Sequence, residues 1–136
     1  MQNPPPVQTT KSSTGLDENV AALLSYIFGW ISGLIFFLIE KDSRLVRFHA
    51  MQSILFNVSV GVLAFVLWFV VFIVLLIVSQ VSEALSTIVG LLITLIWLAL
   101  LVGILIAWVL CLVKAFQSQY FKLPIIGNFA EKFSAK

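Results

Sequence analysis

Between His49 and Lys114 the chain carries a single formal charge, Glu83, and no proline. Ala50–Ser82 and Ala84–Val113 are uncharged runs of 33 and 30 residues. At about 1.5 Å per residue, either run as a helix exceeds the roughly 30 Å of a bilayer's hydrocarbon core. Lipid offers no partner to an open backbone N–H or C=O, so such runs are read as continuous helices. The rest of the composition agrees: of 136 residues, 61% are hydrophobic and 10% charged, too little polar surface to cover a water-soluble domain. That length leaves no room for an additional catalytic or nucleic-acid-binding domain. The lone cysteine, Cys111, excludes an intrachain disulfide.

A third uncharged run, Val20–Ile39, is just long enough for one crossing. The expectation is therefore an all-α polytopic membrane protein with three transmembrane helices, an interfacial helical lead-in and an amphipathic C-terminal segment. Residues 1–19, with Pro4, Pro5, Pro6 and several Ser and Thr, read as a disordered external tail. Asp17, Glu18 and Asn19 suit the start of a helix, where acidic and capping groups meet free N–H donors. Transmembrane helix 1 covers 20–39. Residues 40–54 form a charged loop and interfacial helix, since Glu40, Lys41, Asp42, Arg44 and Arg47 belong at a water boundary. Helix 2 covers 55–79, an external turn 80–84, and helix 3 residues 85–113. The tail 114–136 is amphipathic: Pro124 and Gly127 signal a bend, Asn128 a cap, and Phe129 and Phe133 share one face of a last short helix. Splitting the two long runs into four short spans is the competing division, but neither contains a break that would justify a loop in lipid.

Three crossings put Lys11 on one side and Lys41, Arg44, Arg47, Lys114, Lys122, Lys132 and Lys136 on the other. The positive-inside bias then predicts an N-terminus outside and a C-terminus in the cytoplasm.

Small residues recur on the spans, among them Ser25, Gly29, Gly33, Gly61, Ala99, Gly103, Ala107 and Cys111, and allow helix backbones to approach, within one chain or between copies. His49, Gln52, Ser53, Asn57 and Ser59 fall in one arc of a continuous helix. Burying that arc in lipid would leave hydrogen bonds unmade, so it should face protein or water. The arc is read as glue for the bundle, or as the lining of a hydrated path or a headgroup site. His49 titrates near neutrality when unperturbed, although one interfacial imidazole is first of all a hydrogen-bonding anchor. Arg44, Arg47, Lys114 and Lys122 are the candidate lipid-headgroup contacts, although for the two arginines pairing with Glu40 and Asp42 is the default reading. Trp108 and Tyr120 are the aromatics best placed for an interface.

No phosphate-binding loop, dinucleotide fingerprint or metal-ligand cluster is present, and no nucleophile has a paired base, so no catalytic, cofactor-binding or metal residue is assigned.

Val46-Arg47-Phe48-His49-Ala50-Met51-Gln52-Ser53, followed by Phe121-Lys122-Leu123-Pro124-Ile125-Ile126-Gly127 and Ala130-Glu131-Lys132, carry a resemblance. The chain from about Leu16 to Lys132 resembles a family of small uncharacterised prokaryotic membrane proteins. That family is distantly grouped with the chloroplast inner-envelope protein-import component of about twenty kilodaltons, which differs in having four spans. The resemblance implies a multi-pass protein of a prokaryotic cell membrane. Together these readings give a noncatalytic helper or assembly subunit whose partners are membrane lipids, another membrane protein or copies of itself, and not nucleic acid. The alternative is a small oligomeric pore or transport subunit lined by the arc from His49 to Asn57.

Overall fold

The computed structural model describes residues 10–135. Among them are five helices: α1 (Glu18–Ile27), α2 (Trp30–Ile39), α3 (Arg44–Ser79), α4 (Glu83–Phe116) and α5 (Ile126–Ser134). The only strand-like pairing among the described residues is an isolated antiparallel bridge between Lys11 and Asp17. The chain divides into two compact units, Met1–Asn57 with Trp108–Lys136, and Val58–Ala107.

Both long runs are helices of membrane-spanning length and hydropathy, α3 of 36 residues and α4 of 34. The expected lead-in at 40–54 is not a separate element: from Arg44 onward it is the first part of α3. Ser43 starts that helix by accepting the Val46 N–H at 3.2 Å, which satisfies one donor of its first turn. The turn between α3 and α4 is short, and Ser82 Oγ accepts the Leu85 N–H at 3.4 Å where α4 begins.

The first apolar run departs from expectation. Residues 20–39 are not one rod: the helix ends at Ile27 and restarts at Trp30. Gly29 lies between them at φ 63° and ψ −135°, a conformation that a side chain strains. α1 and α2 pack on each other. Their outer ends meet: Glu18 at the start of α1 accepts from Ser43, while Glu40 after α2 accepts from Ser13, just before α1. The pair is thus a helical hairpin with both outer ends together and residues 27–30 at its tip. The arm before α1 consequently lies beside the charged loop, where a straight span would have carried it to the other end.

The expected disordered tail also needs correction over its described part. Residues 10–17 form a hydrogen-bonded turn closed by Ser12 N to Leu16 O at 2.9 Å and Glu18 N to Thr10 O at 3.0 Å. Its polar groups have fixed partners in the loop after α2, which offset the ordering cost. The rest of that tail, residues 1–9, lies outside the described residues.

At the C-terminal end, α4 stops at Phe116, Ser118 takes φ 57°, and 117–125 is irregular before α5. The bend expected from Pro124 and Gly127 is made at Ile125, at φ 67°. α5 starts at Ile126 rather than at an Asn128 cap. Gly127 matters for a different reason: a Cβ there would come within 2.6 Å of Lys122 Cα, so its bare backbone permits the fold-back.

Candidate functional site

The polar arc on α3 divides at Asn57. His49, Gln52 and Ser53 are fully buried, Asn57 is half-buried, and Ser59 is exposed. What buries the first three is the hairpin on one side and the segment after α4 on the other.

Tyr26 of α1 reaches His49 Nδ1 at 2.9 Å, and Gln52 Nε2 donates to the same Tyr26 hydroxyl at 3.0 Å. The phenol proton is therefore free to go to His49 Nδ1. His49 Nε2 lies 2.7 Å from the Gln119 carbonyl, which only accepts, so Nε2 carries the ring proton. Gln52 Nε2 also donates to Phe121 O at 2.9 Å, and its Oε1 accepts the Leu123 N–H at 3.2 Å. These two backbone partners fix the orientation of the amide. Cys111 Sγ, at 3.7 Å from Gln52 Nε2, completes this cluster, a polar node around His49 and Gln52. Tyr26 and His49 further meet edge to face, and Phe48 lies between His49 and Tyr120.

The hairpin tip is satisfied from the same neighbourhood. Ser53 Oγ donates to Gly29 O at 3.0 Å, Trp108 Nε1 to Tyr26 O at 3.0 Å, and Ser32 Oγ lies 3.0 Å from Ser25 O. The Phe28 N–H donates to Ser32 Oγ at 3.1 Å. Trp108, expected at an interface, is thus spent on the frayed end of α1. Asn57 Nδ2 bonds back to Ser53 O at 2.8 Å within α3.

A second cluster locks the arm. Glu40 Oε1 accepts the N–H groups of Ser43 at 2.9 Å and Asp42 at 3.0 Å, besides the Ser13 hydroxyl at 2.7 Å. The Ser13 N–H lies 3.1 Å from both carboxylate oxygens. Burial alone would push this carboxyl up; the donors from Ser43, Ser13 and Asp42 outweigh it and hold the group below its usual range. At Tyr120 burial and the nearby Glu18 charge raise the phenol, against the Arg44 charge.

The four candidate headgroup contacts separate. Arg47 faces inward: Nη1 donates to Glu40 O at 2.8 Å and Phe37 O at 3.3 Å, Nε to Ser134 O at 3.4 Å, and the guanidinium sits 4.5 Å over the Phe37 ring. It binds the carbonyl ends of α2 and α5, where a helix favours a cation. Lys122 pairs with Glu131. Arg44 is exposed and borders two depressions, one of about 280 Å³ with Phe48, Tyr120 and Glu131, the other of about 370 Å³ with Lys41, Asp42 and Arg47. Lys114 is half-buried near the end of α4.

The small residues divide likewise. A Cβ on Gly33 would lie 2.9 Å from Ala50 O, and one on Gly29 3.0 Å from Asn57 Oδ1, so α2 and the tip approach α3 closely. Ser25 and Cys111 are buried, whereas Ala107 is half-buried. Gly61 and Gly103 have nothing within 4 Å of where a Cβ would stand, and Ala99 is exposed. Tyr26, Ser13, Glu40 and Ser32 were not singled out from sequence as members of these clusters. A tyrosine and serines inside an otherwise apolar run were the available signal, since a buried phenol requires a partner.

A family model described as the magnetosome magnetite crystal formation protein family matches residues 15–130. A UPF0132 membrane protein of Methanocaldococcus jannaschii is 37% identical over 124 residues, covering 91% of this chain and 94% of the relative. Another from Archaeoglobus fulgidus is 38% identical over 119 residues, covering 86% and 95%. A second Methanocaldococcus jannaschii relative of the same description is 34% identical over 122 residues, with 88% and 71% covered. No solved structure matches. The all-helical fold, its two long apolar helices and these relatives make this a membrane protein of a small prokaryotic family, and the chain belongs to the magnetosome magnetite crystal formation protein family.

Proposed function

We propose that the chain is a noncatalytic helper or assembly subunit of a prokaryotic cell membrane, with α3 and α4 as its crossings. It presents a charged collar to lipid headgroups or to another membrane protein. The collar consists of the arm, the loop after α2, and the segment after α4. All eight Lys and Arg lie outside residues 48–113, and the positive-inside bias puts the collar in the cytoplasm. With Ser13 held to Glu40, the described part of the N-terminal arm belongs to that same side.

One observation carries the helper reading over a pore: His49, Gln52 and Ser53 spend their hydrogen bonds on the chain's own groups. A path lined by the arc would need those groups turned toward water. The family description concerns magnetite crystal formation.

Two measurements test the proposal. Vesicles containing the full chain should stay sealed to small ions, and Asn57→Leu should change nothing. Ion flux that responds to that substitution, or passage of a polypeptide of the kind the distant import grouping would require, would replace the helper with a transport subunit. Photocrosslinking from Arg44 and Lys114 in cells should recover the same lipid class or membrane protein repeatedly. A chain that crosslinks to nothing recurrent would count against a helper.

A further inference from the structure

The hairpin α1–α2 is apolar at its tip and polar at both outer ends. Each arm has ten residues, about 15 Å as a helix, which is half the hydrocarbon thickness. At one outer end stand Asp17 and Glu18, at the other Glu40, Lys41 and Asp42, joined through Ser13 and Ser43. At the tip, Phe28 is 75% and Trp30 53% exposed. Irregular backbone at membrane depth is tolerated only where protein satisfies it. Here it is satisfied, by Ser53, Trp108 and Ser32.

A second element of the same unit has matching chemistry. α5 carries three faces. Gly127 and Ala130 are buried, Glu131 and Lys132 are exposed and charged, and the third face exposes Phe129 and Phe133, stacked 6.3 Å apart, near an Ile125 that is 73% exposed. An apolar stripe beside a charged face is the pattern of a helix lying in a membrane interface. Arg47 ties the last turn of α5 to the end of α2, so the hairpin and α5 address one leaflet.

We propose that α1–α2 is a re-entrant hairpin confined to the collar-side leaflet, that α5 lies in the interface of that leaflet, and that its acyl chains cover Phe28, Trp30, Phe129 and Phe133. The hairpin then adds two helical cross-sections, about 100 Å² each for a helix 10–12 Å wide, to one leaflet and none to the other. α5 adds to the same leaflet. One-sided insertion favours a bilayer bulging toward the collar, where that leaflet is stretched and its packing loosened. The chain therefore prefers membranes convex on the collar side. This inference rests on the membrane placement proposed above and on no collar partner.

The full chain in sealed vesicles tests both parts, with Cys111 buried and out of reach of an impermeant thiol reagent. Lys11→Cys and Lys132→Cys should react from one side and Ser82→Cys from the other. Reaction of Lys11→Cys together with Ser82→Cys would make the first run a full crossing and overturn the hairpin. Spin labels placed singly at Leu24, Phe28, Ile31, Ile35 and Leu38 should show depth rising to a maximum near Phe28 and falling again. A steady progression through the bilayer overturns it, and labels all in water overturn the membrane placement itself. For curvature, fluorescent protein with its collar outward should be denser on tubes drawn from giant vesicles than on the flat parent membrane. Phe129→Ser with Phe133→Ser should lose part of that enrichment while keeping the thiol pattern. Equal density on tube and parent would sink the curvature preference and leave the hairpin standing.

Discussion

Residues 10–57 with 108–135 and residues 58–107 are held by different forces. In the first set, buried Tyr26, His49, Gln52, Ser53 and Glu40 are matched donor to acceptor, and glycines bring backbones into contact. In the second, no residue is buried and Gly61, Gly90 and Gly103 face open space. Within Val58–Ala107 the chain relies on helical backbone bonding and leaves its apolar side chains exposed. Within the first set it relies on specific side chains, so sequence changes should be costly there and cheap in the other.

Gln52→Leu should do the most damage. It orphans Phe121 O and the Leu123 N–H in a buried place, at about 1–3 kcal/mol for each group. A thermal melt in detergent should show a clear loss of stability, with 117–125 becoming protease-sensitive. Wild-type melting would mean that water reaches the node. Gly33→Val comes next: its Cβ meets the Ala50 carbonyl at 2.9 Å, and because backbone must shift we expect about 1–3 kcal/mol of destabilisation in the same melt.

Acid should act more locally. The Glu40 carboxyl is held below its ordinary 4.5, so the stability it lends is whole above that value and drains away as the pH falls through the lowered one. Protection from hydrogen exchange over residues 10–16 in nanodiscs, relative to the intrinsic rate at each pH, should be high at neutral pH and fall below that range, and Glu40→Gln should lower it at neutral pH. Protection independent of pH would remove Glu40 from the lock. Gly103→Ala, in the open unit, should shift the melt least, within about 0.5 kcal/mol of neutral. A large loss there would reveal a helix partner at that face, and would break the contrast between the two units.

Much of this was legible in the residues. The lengths of the two uncharged runs announced α3 and α4. The need of His49, Gln52 and Ser53 for protein or water was met by protein. The hairpin was not legible, because a twenty-residue uncharged run fits one crossing by length, and Gly29 reads equally as a packing residue or a break. Three partners of the node are main-chain groups, of Gln119, Phe121 and Leu123, which carry no side-chain identity for a pattern to find. The arm hides its partners too: Ser and Thr beside Pro resemble a solvated tail until Glu40 and Asp42 are seen to hold Ser13.

His49 and Gln52 bond to backbone 69 to 71 positions later in the chain. Such distant closures form late. During synthesis these side chains emerge and α3 is laid down while their partners are still unmade, so His49 and Gln52 wait for residues 119–123 to arrive. Any nascent chain stalled after α4 would hold His49 and Gln52 with those backbone partners still missing.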